Sequence, residues 1–141
     1  MYEQGVIRPP SEASSLLIRV TRNCPWNQCL FCPAYKGVKF SKRTVEEVKK
    51  DIDSMADELS GYSGVSTAFL QDADSLILPV NDLVTILNYL KEKFPKIDRI
   101  TTYARARTLS HKSVDDLKRC AEVFLADIKA DDLQRLYQTK Q

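Results

Sequence analysis

Apolar and polar positions change period several times along the chain, and each change marks an element. Leu16-Leu-Ile-Arg-Val20 is a short, nearly continuous apolar run, the pattern of a buried strand. Further on, Val45, Val48, Ile52, Met55 and Leu59 recur three or four apart, which makes one stripe on a helix. Thr44-Val-Glu-Glu47 has capping-box spacing at the start of that helix, and Gly61 and Gly64 supply its end. Ser66-Thr-Ala-Phe-Leu70 predicts a second strand, ending in the polar turn Gln71-Asp-Ala-Asp-Ser75. A second helix follows from around Asn81, with Leu83, Leu87, Leu90 and Phe94 inward and Pro95 as its stop. Ile97 to Leu109 alternates with period two and predicts a third strand, with Ile100, Thr102, Ala104 and Ala106 on one face and Thr101, Tyr103, Arg105 and Arg107 on the other. Ser113 and Asp116 have capping spacing for a third helix that carries Val114, Leu117 and Ala121 inward.

Strand and helix alternating in this way is the pattern of βα units around a parallel sheet. Ahead of it, Arg8-Pro-Pro-Ser-Glu12 belongs to an extended, turn-rich lead-in over residues 1–14, because proline fixes its own backbone and restricts its predecessor. Residues 15–141 carry the βα units of a single domain. In the tail, Val123-Phe-Leu-Ala126 reads as a fourth strand or as continued helix, and Asp131 to Tyr137 as a short last helix.

Composition narrows the picture. A chain of 141 residues with 43% hydrophobic and 28% charged content can bury an ordinary core, and a net charge of +2 gives no argument for nucleic acid. No signal segment opens the sequence and no apolar run could cross a bilayer, so a reducing, cytoplasmic setting without a membrane is expected. Lys36, Lys39, Lys42 and Arg43 follow one another with no acid among them, which reads as a solvated loop or as a surface for an anionic ligand.

The chemistry concentrates in one place. Cys24, Cys29 and Cys32 stand within nine residues, directly after the first strand. Thiolates packed this closely repel one another unless a cation takes up the charge, and clustered cysteine sulfur suits zinc or an iron–sulfur centre. A short disulfide scaffold belongs to secreted chains, and the compartment expected here is a reducing one. Structural zinc would need a fourth ligand, for which only His111 or Cys120 is at hand, both far away in sequence. Cys29-Leu-Phe-Cys32 also has the spacing of a thioredoxin-type pair, although Pro33 and Gly37 separate it from the next helix. Cys120 itself reads as a small apolar helix residue.

Over roughly residues 8 to 118, the sequence resembles the radical S-adenosylmethionine superfamily. The resemblance rests on the strand, the cysteine loop with Phe31 just before its last cysteine, and the βα series that follows. Arg8-Pro-Pro-Ser-Glu12 together with Thr21-Arg-Asn-Cys-Pro-Trp-Asn-Gln-Cys-Leu-Phe-Cys-Pro-Ala-Tyr-Lys-Gly37 is similar to a subgroup of bacterial radical enzymes. Two features depart from the common pattern: four residues, not three, separate the first two cysteines, and Gln71-Asp-Ala-Asp74 stands where many relatives carry Gly-Gly-Glu, with no glycine and aspartate as the acid.

The resemblance implies a partial, TIM-like parallel barrel and a [4Fe–4S] cluster on Cys24, Cys29 and Cys32, whose fourth iron takes the amino and carboxylate groups of S-adenosylmethionine. It implies an enzyme that cleaves this cosubstrate reductively to a 5′-deoxyadenosyl radical for hydrogen abstraction, and a one-electron donor such as flavodoxin or ferredoxin. Phe31 would lie beside the adenine. Asp72 or Asp74 stands where relatives carry an acid for the methionine amino group, with turn and helix-cap duty as the plain reading. Tyr103 and Arg105 would face the ligand cavity at the strand ends, or lie on an ordinary polar strand face. Asp127-Ile-Lys129 resembles a strand-end acid and lysine of activase-type relatives. A full core of six βα units takes close to two hundred residues at about thirty per unit. The 141 residues therefore read as about half a core. A truncated, catalytically incompetent zinc- or cluster-binding module is the alternative, and an open sheet edge would invite self-association or a second chain that completes the barrel.

Overall fold

The computed structural model describes residues 2–5, 8–59 and 64–124, the last four as backbone only. A turn of 3-10 helix at Pro10–Glu12 leads into β1 (Leu16–Ile18), all three residues of which are buried. A two-residue strand, β2 (Thr21–Arg22), then pairs antiparallel with β3 (Ser41–Lys42), closing a loop that holds the three cysteines near the sheet. Next comes α1 (Val45–Glu58), started by the expected box: Glu47 N–H donates to the Thr44 hydroxyl and Thr44 N–H donates to the Glu47 carboxylate. The strand β4 (Thr67–Leu70), a second 3-10 turn (Ser75–Ile77) and α2 (Val80–Lys93) follow. The described chain ends in β5 (Arg99–Thr102), α3 (Ala106–Ser110) and α4 (Val114–Phe124).

The sheet is parallel, in the order β1-β4-β5, with Leu17 opposite Phe69 and Phe69 opposite Thr101. Period-two alternation therefore sorts its residues onto two faces. Leu16, Ile18, Ala68, Leu70 and Ile100 turn toward the helices and join Val48, Ile52, Met55, Leu83, Ile86, Leu87 and Leu90 in the core. α1 packs on α2 and β1, and α4 packs on α2 and β5. The second face is more polar: the Ser15 and Thr67 hydroxyls bond at 2.8 Å, and Arg99 pairs with the buried Glu12 at 3.4 Å. Val48 and Leu87 are fully buried mid-helix. Truncating either to alanine is expected to cost about 2 to 5 kcal/mol, read as a lower denaturation midpoint, and an unchanged midpoint for both would refute these faces.

Two expectations need correction. The third strand does not run from Ile97 to Leu109: it stops at Thr102, opposite the last residue of β4, and Ala106–Ser110 is helical. The cause lies outside the segment, in Asp74, whose carboxylate accepts from the N–H of Arg105, the residue before α3, and from the Thr108 hydroxyl within it. Arg43 is not part of a solvated basic loop either. It is 7% exposed and bonded to Asp51 at 2.6 Å, while Lys36, Lys39 and Lys42 are exposed. In the tail, residues 123–124 continue α4; residues 125 and 126, Asp127 to Lys129 and Asp131 to Tyr137 lie outside the described residues. Among the described residues, no helix is long and apolar enough to cross a membrane.

Candidate functional site: the cysteine loop

Parallel strands bring their C-terminal ends to one side, and the segments that follow β1, β4 and β5 meet there. The loop between β2 and β3 is built on two asparagines in left-handed backbone, Asn23 at φ 68° and Asn27 at φ 52°. Asparagine is one of the few residues that accepts this conformation at low cost. Their side chains also tie the loop across its width: Asn23 Nδ2 donates to the Lys39 carbonyl at 2.6 Å and Asn27 Nδ2 to the Val38 carbonyl at 3.2 Å. Inside these rungs the Asn27 N–H points at Cys24 Sγ, 3.4 Å away, and the Cys32 N–H donates to the Cys29 carbonyl.

Cys24, Cys29 and Cys32 consequently line one small cavity, together with Asn27, Tyr35 and Lys36. At about 20 Å³ it has room for a single water. All four cysteines of the chain are free thiols. Among the described residues, no three cysteine, histidine, aspartate or glutamate side chains already stand close enough to hold one metal ion. The donor set nonetheless suits a soft metal or an iron–sulfur centre: three thiols from one loop, one with a backbone N–H aimed at its sulfur and a lysine beside them to offset thiolate charge. Cys120 lies elsewhere, 4% exposed in the core among Ile97, Ile100 and the α2 leucines, where burial raises its thiol pKa.

Asp72 anchors the loop from below. It is fully buried, sits at φ 71°, and accepts from Arg19 Nε at 2.8 Å, from the Asn23 N–H at 2.7 Å and from the Tyr35 hydroxyl at 3.3 Å. Burial, and then the Asp72 charge, hold the Tyr35 phenol well above its ordinary pKa, so it stays a donor at neutral pH. The segment Tyr2 to Gly5 closes the underside. Gly5 N–H donates to Gln71 Oε1, and a β-carbon at Gly5 would come within 2.3 Å of the Asp72 carboxylate, so only glycine fits. Glu3 pairs with Arg19 at 2.9 Å and Arg22 at 2.8 Å. The Arg22 hydrogen bond, with Arg43 and Arg19 adding to it, keeps the Glu3 carboxyl below its ordinary pKa against the opposing effect of burial.

The other expected site residues scatter. Asp74 is fully buried and occupied by Arg105 and Thr108, outside the cysteine cavity. Tyr103 is half exposed and meets Phe69 edge-on, ring centres 5.3 Å apart. Phe31 projects into solvent at 87% exposure, beside Leu30 at 92%. Arg105 does reach the loop, its guanidinium lying 5.2 Å from the centre of the Trp26 ring. Tyr35, Trp26, Asn23 and Glu3 were not anticipated, although an asparagine directly before a loop cysteine is a readable signal for left-handed backbone. Comparison of the chain with protein-family models, with characterised proteins and with solved structures finds no match.

Proposed function

We propose that this chain is an iron–sulfur protein of the radical S-adenosylmethionine type, its three parallel strands the opening βα units of a partial barrel that works in a reducing, cytoplasmic setting. The observation that carries the reading is that Cys24, Cys29 and Cys32, from one loop at the C-terminal end of a parallel sheet, line a common cavity. These thiolates would hold three irons of a [4Fe–4S] cluster, and S-adenosylmethionine would be the second cofactor. Bound there, the cluster would relay one electron from a flavodoxin- or ferredoxin-type donor to the sulfonium of S-adenosylmethionine, and the chemistry it would supply is reductive cleavage to methionine and a 5′-deoxyadenosyl radical for hydrogen abstraction.

The residues around the loop have definable work. Lys36 offsets thiolate charge. Tyr35 and Asn23 fix the loop to the sheet through Asp72, whose carboxylate is already held by three donors and so serves as an anchor. Leu30, Phe31 and Trp26 are exposed apolar side chains of the same loop, and on binding they would be available to cover a cosubstrate and exclude water. A structural zinc would need its fourth ligand from elsewhere, and neither Cys120 nor His111 lines the cavity.

Anaerobic reconstitution tests the proposal. Iron with matching acid-labile sulfide is expected, and S-adenosylmethionine should shift the electron paramagnetic resonance spectrum of the reduced protein. Stoichiometric zinc without sulfide would replace this reading with a binding module, and a cluster indifferent to S-adenosylmethionine would remove the radical chemistry.

A further inference from the structure

Two clefts, of about 270 and 360 Å³, lie side by side where α3, α4 and the start of α2 meet, and His111 and Lys112 line both. The larger of the two, and the pair taken together, falls in the range of small-molecule sites. The first cleft adds Arg105, Arg107 and Thr108; the second adds Asn81, Asp116 and Arg119. Among the described residues, three permanent cations line the first cleft, while Lys112 and Arg119 line the second together with the Asp116 carboxylate. Among the described residues, none of Arg105, Arg107, Lys112 and Arg119 is in an ion pair. Arg19, Arg22, Arg43 and Arg99, by contrast, each have a carboxylate partner.

Three of the four cleft cations are also held in place. Lys112 Nζ donates to the Leu78 carbonyl at 3.0 Å, Arg119 to Asn81 Oδ1 at 3.0 Å, and Arg105 stacks on Trp26. Each of these contacts leaves most of the group's donors free, and guanidinium groups match phosphate oxygens two at a time. The second cleft reaches the first turn of α2, whose positive end adds to the field against the Asp82 carboxylate in the same turn.

We propose that this double cleft binds a phosphorylated small molecule, with a phosphate ester or diphosphate group between Arg107, Lys112 and Arg119. The concave, ligand-sized shape favours a small molecule over a nucleic-acid strand, since the protein as a whole carries only +2. Arg105 stands between the cleft and the cysteine loop, so such a ligand would lie next to the proposed radical chemistry as its substrate. The binding itself does not depend on that chemistry.

The test uses the full chain without metal, so that it is independent of the cysteine site. Inorganic phosphate and pyrophosphate are titrated calorimetrically into wild type, into Arg107→Gln/Arg119→Gln, and into Lys50→Gln/Lys96→Gln, a charge-matched control on exposed lysines away from the cleft. Saturable binding, tighter for pyrophosphate, is expected; it should weaken at least tenfold in the cleft variant and stay within twofold in the control, with denaturation midpoints unchanged in both. No saturable binding by wild type, or equal weakening in both variants, would overturn the site. A single-stranded RNA oligonucleotide that binds more tightly than pyrophosphate, and is lost in the same cleft variant, would overturn the small-molecule assignment in favour of nucleic acid.

Discussion

Alanine at any one of Cys24, Cys29 or Cys32 is expected to abolish stable cluster assembly, with iron and sulfide after anaerobic reconstitution falling to a small fraction of wild type. Each thiol lines the same cavity, and among the described residues no further cysteine, histidine or carboxylate lines it to substitute for a lost ligand. Cys120→Ala should keep full iron and sulfide, because that thiol is packed among core side chains. Its cost should be confined to stability, about 1 kcal/mol for a small buried group. Equal metal content in the wild type and the three loop variants would sink the ligand assignment.

Asp72→Ala should be the most damaging single change outside the cysteines. It strips a fully buried acceptor from Arg19, the Asn23 N–H and Tyr35 at once. Removing one partner of a buried ion pair typically costs 3 to 5 kcal/mol; Arg19 keeps Glu3, so a loss of about 3 kcal/mol is expected. Alanine at φ 71° adds about 1 kcal/mol of backbone strain. Asp72→Asn tolerates that backbone and keeps an acceptor, so it should recover roughly half of the loss. The loop should respond as well, with Cys24, Cys29 and Cys32 alkylated faster in Asp72→Ala than in wild type under native conditions. Stability and alkylation rates both close to wild type would show that the loop is held by something else.

Where local chemistry decides the outcome, the sequence was enough. The Thr44 to Glu47 box, the stripe of Val48, Ile52 and Met55, and the buried run at Leu16 each contain their own cause within a few residues, and all three stand as expected. The third strand failed because its period-two pattern is matched only as far as β4 extends, and because Asp74, some thirty residues upstream, caps the segment into a helix. Arg43 was misread for a similar reason: its partner Asp51 stands two turns along α1, a distance that a charge pattern within the loop cannot register. The cysteines could be found from spacing alone. Tyr35 and Asp72 could not be linked to each other, since their bond joins positions 37 residues apart.

The pairing of Thr21 with Lys42 and Arg22 with Ser41 gives the cysteine loop a neck. Because the ends are held together by that ladder, the entropy of bringing them close is met before any ligand arrives, and closure costs grow only slowly with loop length. The interior can therefore reorganise, opening from the volume of one water to that of a larger guest, without pulling on β1 or α1. Length changes between Cys24 and Cys32 are insulated from the sheet in the same way, whereas a change that displaced Tyr35 would pull on its bond to Asp72 and so on the end of β4.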